Sequence, residues 1–259
     1  MTAARLHTRV SGDPDGRAVV ALHGVKGHCG RWRPLSSRSP HLRMYALDLR
    51  GHGRSDWSPP WTLEQHVADV LATMDGLRLP RADLLGHSFG GAVAVHLARH
   101  APDRVGRVVL LDPALGLAPA VAGQRADAER TPRTFADPPE ARESRLATWP
   151  PLADPSVVDD EVADHLVAGE DGRWRWRYSP AAVVTAFSEM ARPAVLPPRG
   201  VPTLLVRAAR AQVVRPDLVE LCRTATDADA TVVELDCFHE VPLERPAEVA
   251  DLLAGFLAG

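Results

Sequence analysis

A serine set between two glycines, in Gly86-His87-Ser88-Phe89-Gly90, is the stretch of this sequence best suited to covalent chemistry. Leu84-Leu85 precede it, and Ala92-Val93-Ala94-Val95-His96-Leu97-Ala98 follow with helical composition, so the pattern predicts strand, sharp turn, helix. Such a turn lifts a serine hydroxyl above the end of a sheet, where it can attack a carbonyl. Gly86 and Gly90 have a steric role: the tight backbone approaches the adjoining strand and helix so closely that a Cβ at either position would clash. Ser88 is therefore the candidate nucleophile.

Other potential ligands and bases form weaker sets. His96 and His100 share an i, i+4 spacing, but no Glu follows His96, and the pair reads as one solvated helix face. Cys237 and His239 make no convincing metal set. Neither a metal nor a cofactor is expected.

Composition narrows the partners. The 259 residues include 30 basic and 33 acidic side chains for a formal charge of -3, so no net field recruits nucleic acid or an anionic membrane. A small-molecule substrate is expected, and composition says nothing about oligomeric state. Lys26 is the only lysine, which points to compositional bias rather than function. Cys29, Cys222 and Cys237 are odd in number and far apart, giving no disulfide framework and fitting a reducing, cytoplasmic setting. No apolar signal region follows Met1-Thr2-Ala3-Ala4-Arg5-Leu6-His7, and no run approaches the length of a membrane span.

Several elements must position Ser88. Leu6 to Val10 reads as an edge strand. Ala18 to Leu22, Met44 to Leu47, Ala82 to Leu85 and Arg107 to Leu111 are short apolar runs of the buried parallel kind. Leu63 to Leu77 carries apolar residues at helical intervals behind Thr62, a cap residue. Strands alternating with helices imply right-handed crossovers and a mostly parallel sheet flanked by helices, with the ligand at the carboxyl ends of the strands. His23, Asp48, Ser88 and Asp112 each follow a strand-like run and should share that end.

The alternation breaks between Leu117 and Leu196, where Pro132, Pro138, Pro139, Pro150, Pro151 and Pro155 punctuate a mixed stretch with helical patterns at Val157 to Val167 and Ala181 to Ala191. Its aromatic residues supply apolar surface that a disordered linker would lack. A largely helical cap is expected over 118–195, splitting the core into 1–117 and 196–259. Within it Arg173-Trp174-Arg175-Trp176-Arg177-Tyr178 could suggest base stacking on a basic ribbon, which the absence of positive charge elsewhere disfavours. Thr203 to Val206 and Thr231 to Leu235 resume the strands, and Pro246 opens a closing helix with Val249, Leu252, Leu253 and Phe256 on its apolar side.

Taken in order, Leu22-His23-Gly24, Asp48-Leu49-Arg50-Gly51-His52-Gly53-Arg54-Ser55-Asp56, the Gly86 to Gly90 turn and Phe238-His239-Glu240-Val241-Pro242-Leu243-Glu244-Arg245-Pro246 resemble the α/β-hydrolase superfamily. The resemblance covers nearly the whole chain outside the insertion. It implies an α/β-hydrolase fold, a base at His239, which matches the family's order of Ser, acid, His, and an oxyanion site made by the backbone N–H groups of Val25 and Phe89. The family's usual acid position, after the strand that follows the cap, falls at Gln212 within Ala208-Ala209-Arg210-Ala211-Gln212. A glutamine can accept from an imidazole but cannot stabilise an imidazolium by charge. Some members carry the acid after the preceding strand instead, where this chain has Asp112. Asp112 is therefore the candidate acid, the alternative being that Asp112-Pro113 is only a strand-ending turn, and Asp217 is a reserve.

The expectation is a serine hydrolase acting through an acyl-enzyme on an ester, lactone or thioester of a small to medium apolar molecule. A carbon-carbon bond hydrolase of the same fold is one alternative, and a ligand-binding or cyclisation scaffold with a degenerate triad, motivated by Gln212, is the other. His23, Trp32, Trp149 and Trp174 are the candidate pocket residues.

Overall fold

A computed structural model describes residues 3–131, 133–150, 152, 154–225 and 230–258. Pro132 and Pro151, two of the prolines that punctuate the insertion, lie outside the described residues.

The frame is a seven-stranded sheet built from β1 (Thr8–Gly12), β2 (Arg17–Leu22), β3 (Leu42–Leu47), β4 (Ala82–His87), β5 (Val105–Leu111), β8 (Thr203–Ala208) and β9 (Ala230–Leu235), in the spatial order β1-β3-β2-β4-β5-β8-β9. Only β1 runs antiparallel to its neighbour. It begins two residues later than its apolar pattern suggested, because Leu6 is buried and donates its N–H to Thr73 Oγ1 at 2.8 Å instead of joining the ladder.

Strand side chains alternate between faces, and each face has its own core. Val20, Leu22, Leu84, Val108, Leu110 and Leu205 pack with α2 (Leu63–Gly76) and α3 (Phe89–His100). Val19, Ala21, Leu85, Val109, Leu111, Leu204 and Val206 pack with the short α1 (Arg33–Ser36) and with α10 (Pro246–Leu257). The α2 start is capped by Thr62, whose side chain accepts from the Gln65 N–H at 3.3 Å. Pro246 stands in the first turn of α10, where its missing N–H costs nothing.

Between β5 and β8 the chain forms α4 (Pro119–Ala128), α5 (Pro138–Thr148), α6 (Val157–His165), the antiparallel pair β6 (Leu166–Ala168) and β7 (Trp174–Trp176), and α7 (Pro180–Met190). The helical pattern expected to continue to Val167 stops at His165, because Leu166 turns extended to pair with Trp176. Trp176 and Tyr178 point into the core, and Arg175 is paired with Asp171, so the Arg-Trp alternation is that of a strand packed on one face. Backbone bonds tie this segment to the loop after β3: Gly53 N–H to Arg177 O at 2.8 Å and Ser179 N–H to Gly51 O at 2.7 Å. After β8 come α8 (Pro216–Ala225), β9 and the short α9 (Val241–Glu244). Among the described residues, no helix is long and apolar enough to cross a membrane. Cys29, Cys222 and Cys237 are buried, and among the described residues none forms a disulfide.

Candidate active site

β4 ends at His87, α3 begins at Phe89, and Ser88 alone makes the turn, at φ 53° and ψ -117°. A non-glycine residue in that region is strained and persists only where its surroundings hold it. Here the Ser88 N–H donates to Leu111 O at 3.1 Å, while Gly91 and Ala114 N–H groups donate to Ser88 O at 3.0 Å each. The flanking glycines let the backbone pass: a Cβ on Gly86 would stand 2.5 Å from Gly90 O, and one on Gly90 would overlap the Leu22 carbonyl.

Asp112 closes the next strand in the same manner, at φ 43° and with no exposed surface. Its N–H donates to Val206 O at 2.7 Å, and its Oδ1 accepts from Ala208 N–H at 3.2 Å. The carboxylate is thereby aimed across the strand ends, where Oδ2 accepts from His239 Nδ1 at 2.6 Å. That bond fixes the imidazole tautomer, leaving Nε2 as an acceptor 2.9 Å from Ser88 Oγ. Ser88, His239 and Asp112 thus stand in line, from the ends of three different parts of the chain.

His239 lies in the turn between β9 and α9. Its carbonyl accepts from His87 Nε2 at 2.7 Å, and the two rings sit 4.8 Å apart. Burial, reinforced by His239, lowers the His87 pKa to about 4, so His87 is a neutral donor and not a rival base. Gln212 is exposed on the rim and Asp217 is paired with Arg215, so neither serves His239.

A cavity of about 340 Å³ opens above Ser88 and His239. Val25 lines it. As the first residue of α3, Phe89 has an N–H without an intrahelical acceptor. Of the four candidate pocket residues only Trp149 lines this cavity, and the other three need correction. His23 is buried, bonded through Nδ1 to Gly24 O at 2.7 Å and through Nε2 to Leu49 N–H at 2.9 Å; it ties β2 to the loop after β3. Trp32 belongs to the core beneath α10, and Trp174 exchanges both backbone bonds with Phe135.

Charged groups that sequence reasoning missed also line the cavity: Lys26, Arg31, Arg125, Arg145, Glu129 and Glu240. Burial pushes the Glu240 carboxyl up, but Arg31, His87 and His239 outweigh it and leave its pKa below the usual range. Behind them Glu161, 1% exposed, is held well below the carboxylate range because Arg31, Arg145 and His28 overcome the cost of its burial. These groups come from five separate segments, and no spacing pattern links them.

His7, Cys29 and Asp48 bring ligand-type atoms within 4.8 Å of one another. Asp48 accepts from Cys29 N–H at 2.6 Å and Arg54 N–H at 2.9 Å, bonds that tie the segment after β2 to the loop after β3, and burial pushes the Cys29 thiol up.

Residues 19–252 match the sequence model described as the Alpha/beta hydrolase family. Lipase LipV of Mycobacterium tuberculosis is 41% identical over 251 residues, 96% of each chain. Among solved structures, E-2-(Acetamidomethylene)succinate Hydrolase superposes with a TM-score of 0.85 at 22% identity, covering 98% of this chain and 95% of that one. The enol-lactonase from Burkholderia xenovorans LB400 superposes with a TM-score of 0.78 at 25% identity, covering 98% and 96%.

Proposed function

We propose, from the premise that the chain belongs to the alpha/beta hydrolase family, that it is a serine hydrolase cleaving a carboxylic ester through an acyl-enzyme on Ser88. The observation that carries this is the unbroken line Ser88 Oγ, His239 Nε2, His239 Nδ1, Asp112 Oδ2 at 2.9 and 2.6 Å. A serine hydroxyl is a weak nucleophile until its proton has somewhere to go. His239 takes that proton as Oγ bonds to the carbonyl carbon, and Asp112 stabilises the imidazolium that forms. The carbonyl oxygen, now an anion, is received by the N–H groups of Val25 and Phe89. Such donors contribute about 3 kcal/mol each because they are oriented before the charge appears. His239 then returns the proton to the leaving alkoxide, freeing the alcohol. Water, deprotonated by the same imidazole, attacks the acyl-enzyme, and collapse of the second tetrahedral intermediate releases the acid and restores Ser88.

Lactones and thioesters present the same carbonyl to the same atoms, and a lipase and an enol-lactonase among the similar proteins support this range. Against the scaffold alternative stands the 2.6 Å contact between Asp112 and His239, a contact that Gln212 does not make. Segment 118–195 acts as the cap that shapes the substrate site. A cytoplasmic setting suits three buried cysteines outside any disulfide. The test is Ser88→Ala assayed on 4-nitrophenyl butyrate, together with fluorophosphonate labelling of the unsubstituted protein. Loss of turnover in a folded variant and covalent capture at Ser88 are expected; unchanged turnover would sink the proposal.

A further inference from the structure

The acyl-transfer steps make no use of the charge on the cavity wall, and the hydrogen bonds among those charged groups are unevenly shared. Lys26 is paired with Glu129, and Glu240 approaches Arg31 Nη1 at 3.9 Å. Behind the wall, Glu161 is bound on both oxygens by Arg31, Nε to Oε2 at 3.1 Å and Nη2 to Oε1 at 2.6 Å, and also meets His28 Nε2 at 2.9 Å. Arg145 is left with a share of a carboxylate already engaged. Its Nη2 stands 3.1 Å from Glu161 Oε1, yet neither Nη2 nor Nε has a hydrogen-bond acceptor among the described residues.

Arg145 is also held rigidly. Its guanidinium carbon lies 4.1 Å from the Trp176 ring centre and 4.9 Å from that of Trp149, and the residue is 9% exposed while lining the cavity that holds Ser88. Burial pulls its pKa down, the mark of a charge whose lost hydration is incompletely replaced. A guanidinium cannot shed its proton at neutral pH, and with Nε and Nη2 closed off beside Glu161 it is the exposed remainder of the group that can meet an anion in the cavity. Lys26, Arg31 and Arg145 are matched in number by Glu129, Glu161 and Glu240, so Arg145 stands out by its lack of hydrogen-bond acceptors and not by an excess of charge; a monoanion suits it, whereas a dianionic phosphate would face Glu129 and Glu240 on the same wall.

We propose that the substrate carries a free carboxylate in addition to its scissile ester, and that Arg145 receives it as a specificity-determining residue. This rests on the acyl-transfer reading of Ser88. The carboxylate can belong to the acyl chain or to the leaving group, and the chemistry at Arg145 is the same.

Two matched pairs of esters separate these sources. Monophenyl adipate against phenyl 5-carbamoylpentanoate puts the charge on the acyl side; 4-acetoxybenzoate against 4-acetoxybenzamide puts it on the leaving group. One pair should show a preference for the anion of about tenfold or more in kcat/KM, the scale of one added charge-assisted hydrogen bond. Arg145→Gln should reduce that preference to roughly threefold or less, and the ratio cancels any general loss of activity. No preference in either pair, or a preference that survives Arg145→Gln, overturns the inference. Should that variant not fold, the unsubstituted protein decides: benzoate or adipamate must inhibit phenyl acetate hydrolysis about tenfold more strongly than benzamide or adipamide, and equal inhibition overturns it. Turnover of neutral esters without anion preference refutes this inference alone. Absence of all turnover and of fluorophosphonate labelling refutes the acyl-transfer reading itself.

Discussion

Replacing Asp112 by Asn exchanges one oxygen for an NH₂ group, and the surroundings determine which way the amide turns. Ala208 N–H points at Oδ1 from 3.2 Å, so the amide oxygen keeps that position and the NH₂ faces His239 Nδ1. A donor there forces Nδ1 to accept, which moves the ring proton to Nε2, the atom that must take the proton of Ser88. Two losses follow: the tautomer is wrong, and the imidazolium has no counter-charge. With charge centres about 4 Å apart and an effective dielectric near 20, the counter-charge contributes about 4 kcal/mol, or about three orders of magnitude in rate. The analogous substitution in a serine protease, where both losses act, costs about four orders. Asp112→Asn should therefore lower kcat/KM for 4-nitrophenyl butyrate by about 10³ to 10⁴, with a melting temperature near that of the unsubstituted protein as the control for folding. Gln212→Ala, on the exposed rim, should cost about threefold or less. A loss below tenfold for Asp112→Asn, or a larger loss for Gln212→Ala, refutes the assignment of the acid.

Backbone strain, steric clearance and buried histidines yield three more expectations. At φ 53° Ser88 sits where glycine is at ease, so Ser88→Gly should be about 1 kcal/mol more stable than Ser88→Ala in thermal unfolding, and equal melting temperatures would contradict the strain. Gly90→Ala, whose Cβ overlaps the Leu22 carbonyl and comes within 2.7 Å of His23 O, should lose more than about 3 kcal/mol or fail to fold; a normal urea midpoint would show that β2 yields. Burial lowers the pKa of His52 and His87 to about 4 and of His66 to about 3, while unfolded histidines titrate near 6.5. The unfolded chain therefore binds more protons between those values, and stability present above about pH 6.5 is lost as pH falls toward 4, by up to about 1.4 kcal/mol per pH unit per residue. Urea unfolding at pH 7.5 and pH 5 checks this, and undiminished stability at pH 5 refutes it; His66→Gln should flatten the slope.

Different parts of this protein were legible to different depths. The buried strands announce themselves, because a parallel strand covered on both faces must be apolar throughout, as Val19 to Leu22 and Val108 to Leu111 are. Boundaries were less visible where tertiary partners intervene: Leu6 leaves the edge strand for Thr73, and Leu166 leaves a helix for Trp176. The pocket residues were the least legible. An indole gives the same composition signal whether it lines a cavity, as Trp149 does, or fills a core, as Trp32 does.

Ser88 and its glycines are a local matter. Their geometry lies in one turn whose steric demands leave a mark in five consecutive residues, so the sequence alone determined where the candidate nucleophile stands and that a strand and a helix flank it. The partner of His239 is not local. Asp112 and Gln212 offered rival positions after two different strands, and only strand order and the tilt of one carboxylate, set by the N–H of Ala208, decided which of them meets the imidazole. The balance of charge around Arg145 is more distant still. It depends on Arg31, Glu161 and two tryptophans brought together from separate segments, and charge balance is a sum over neighbours in space that residue spacing along a chain does not encode.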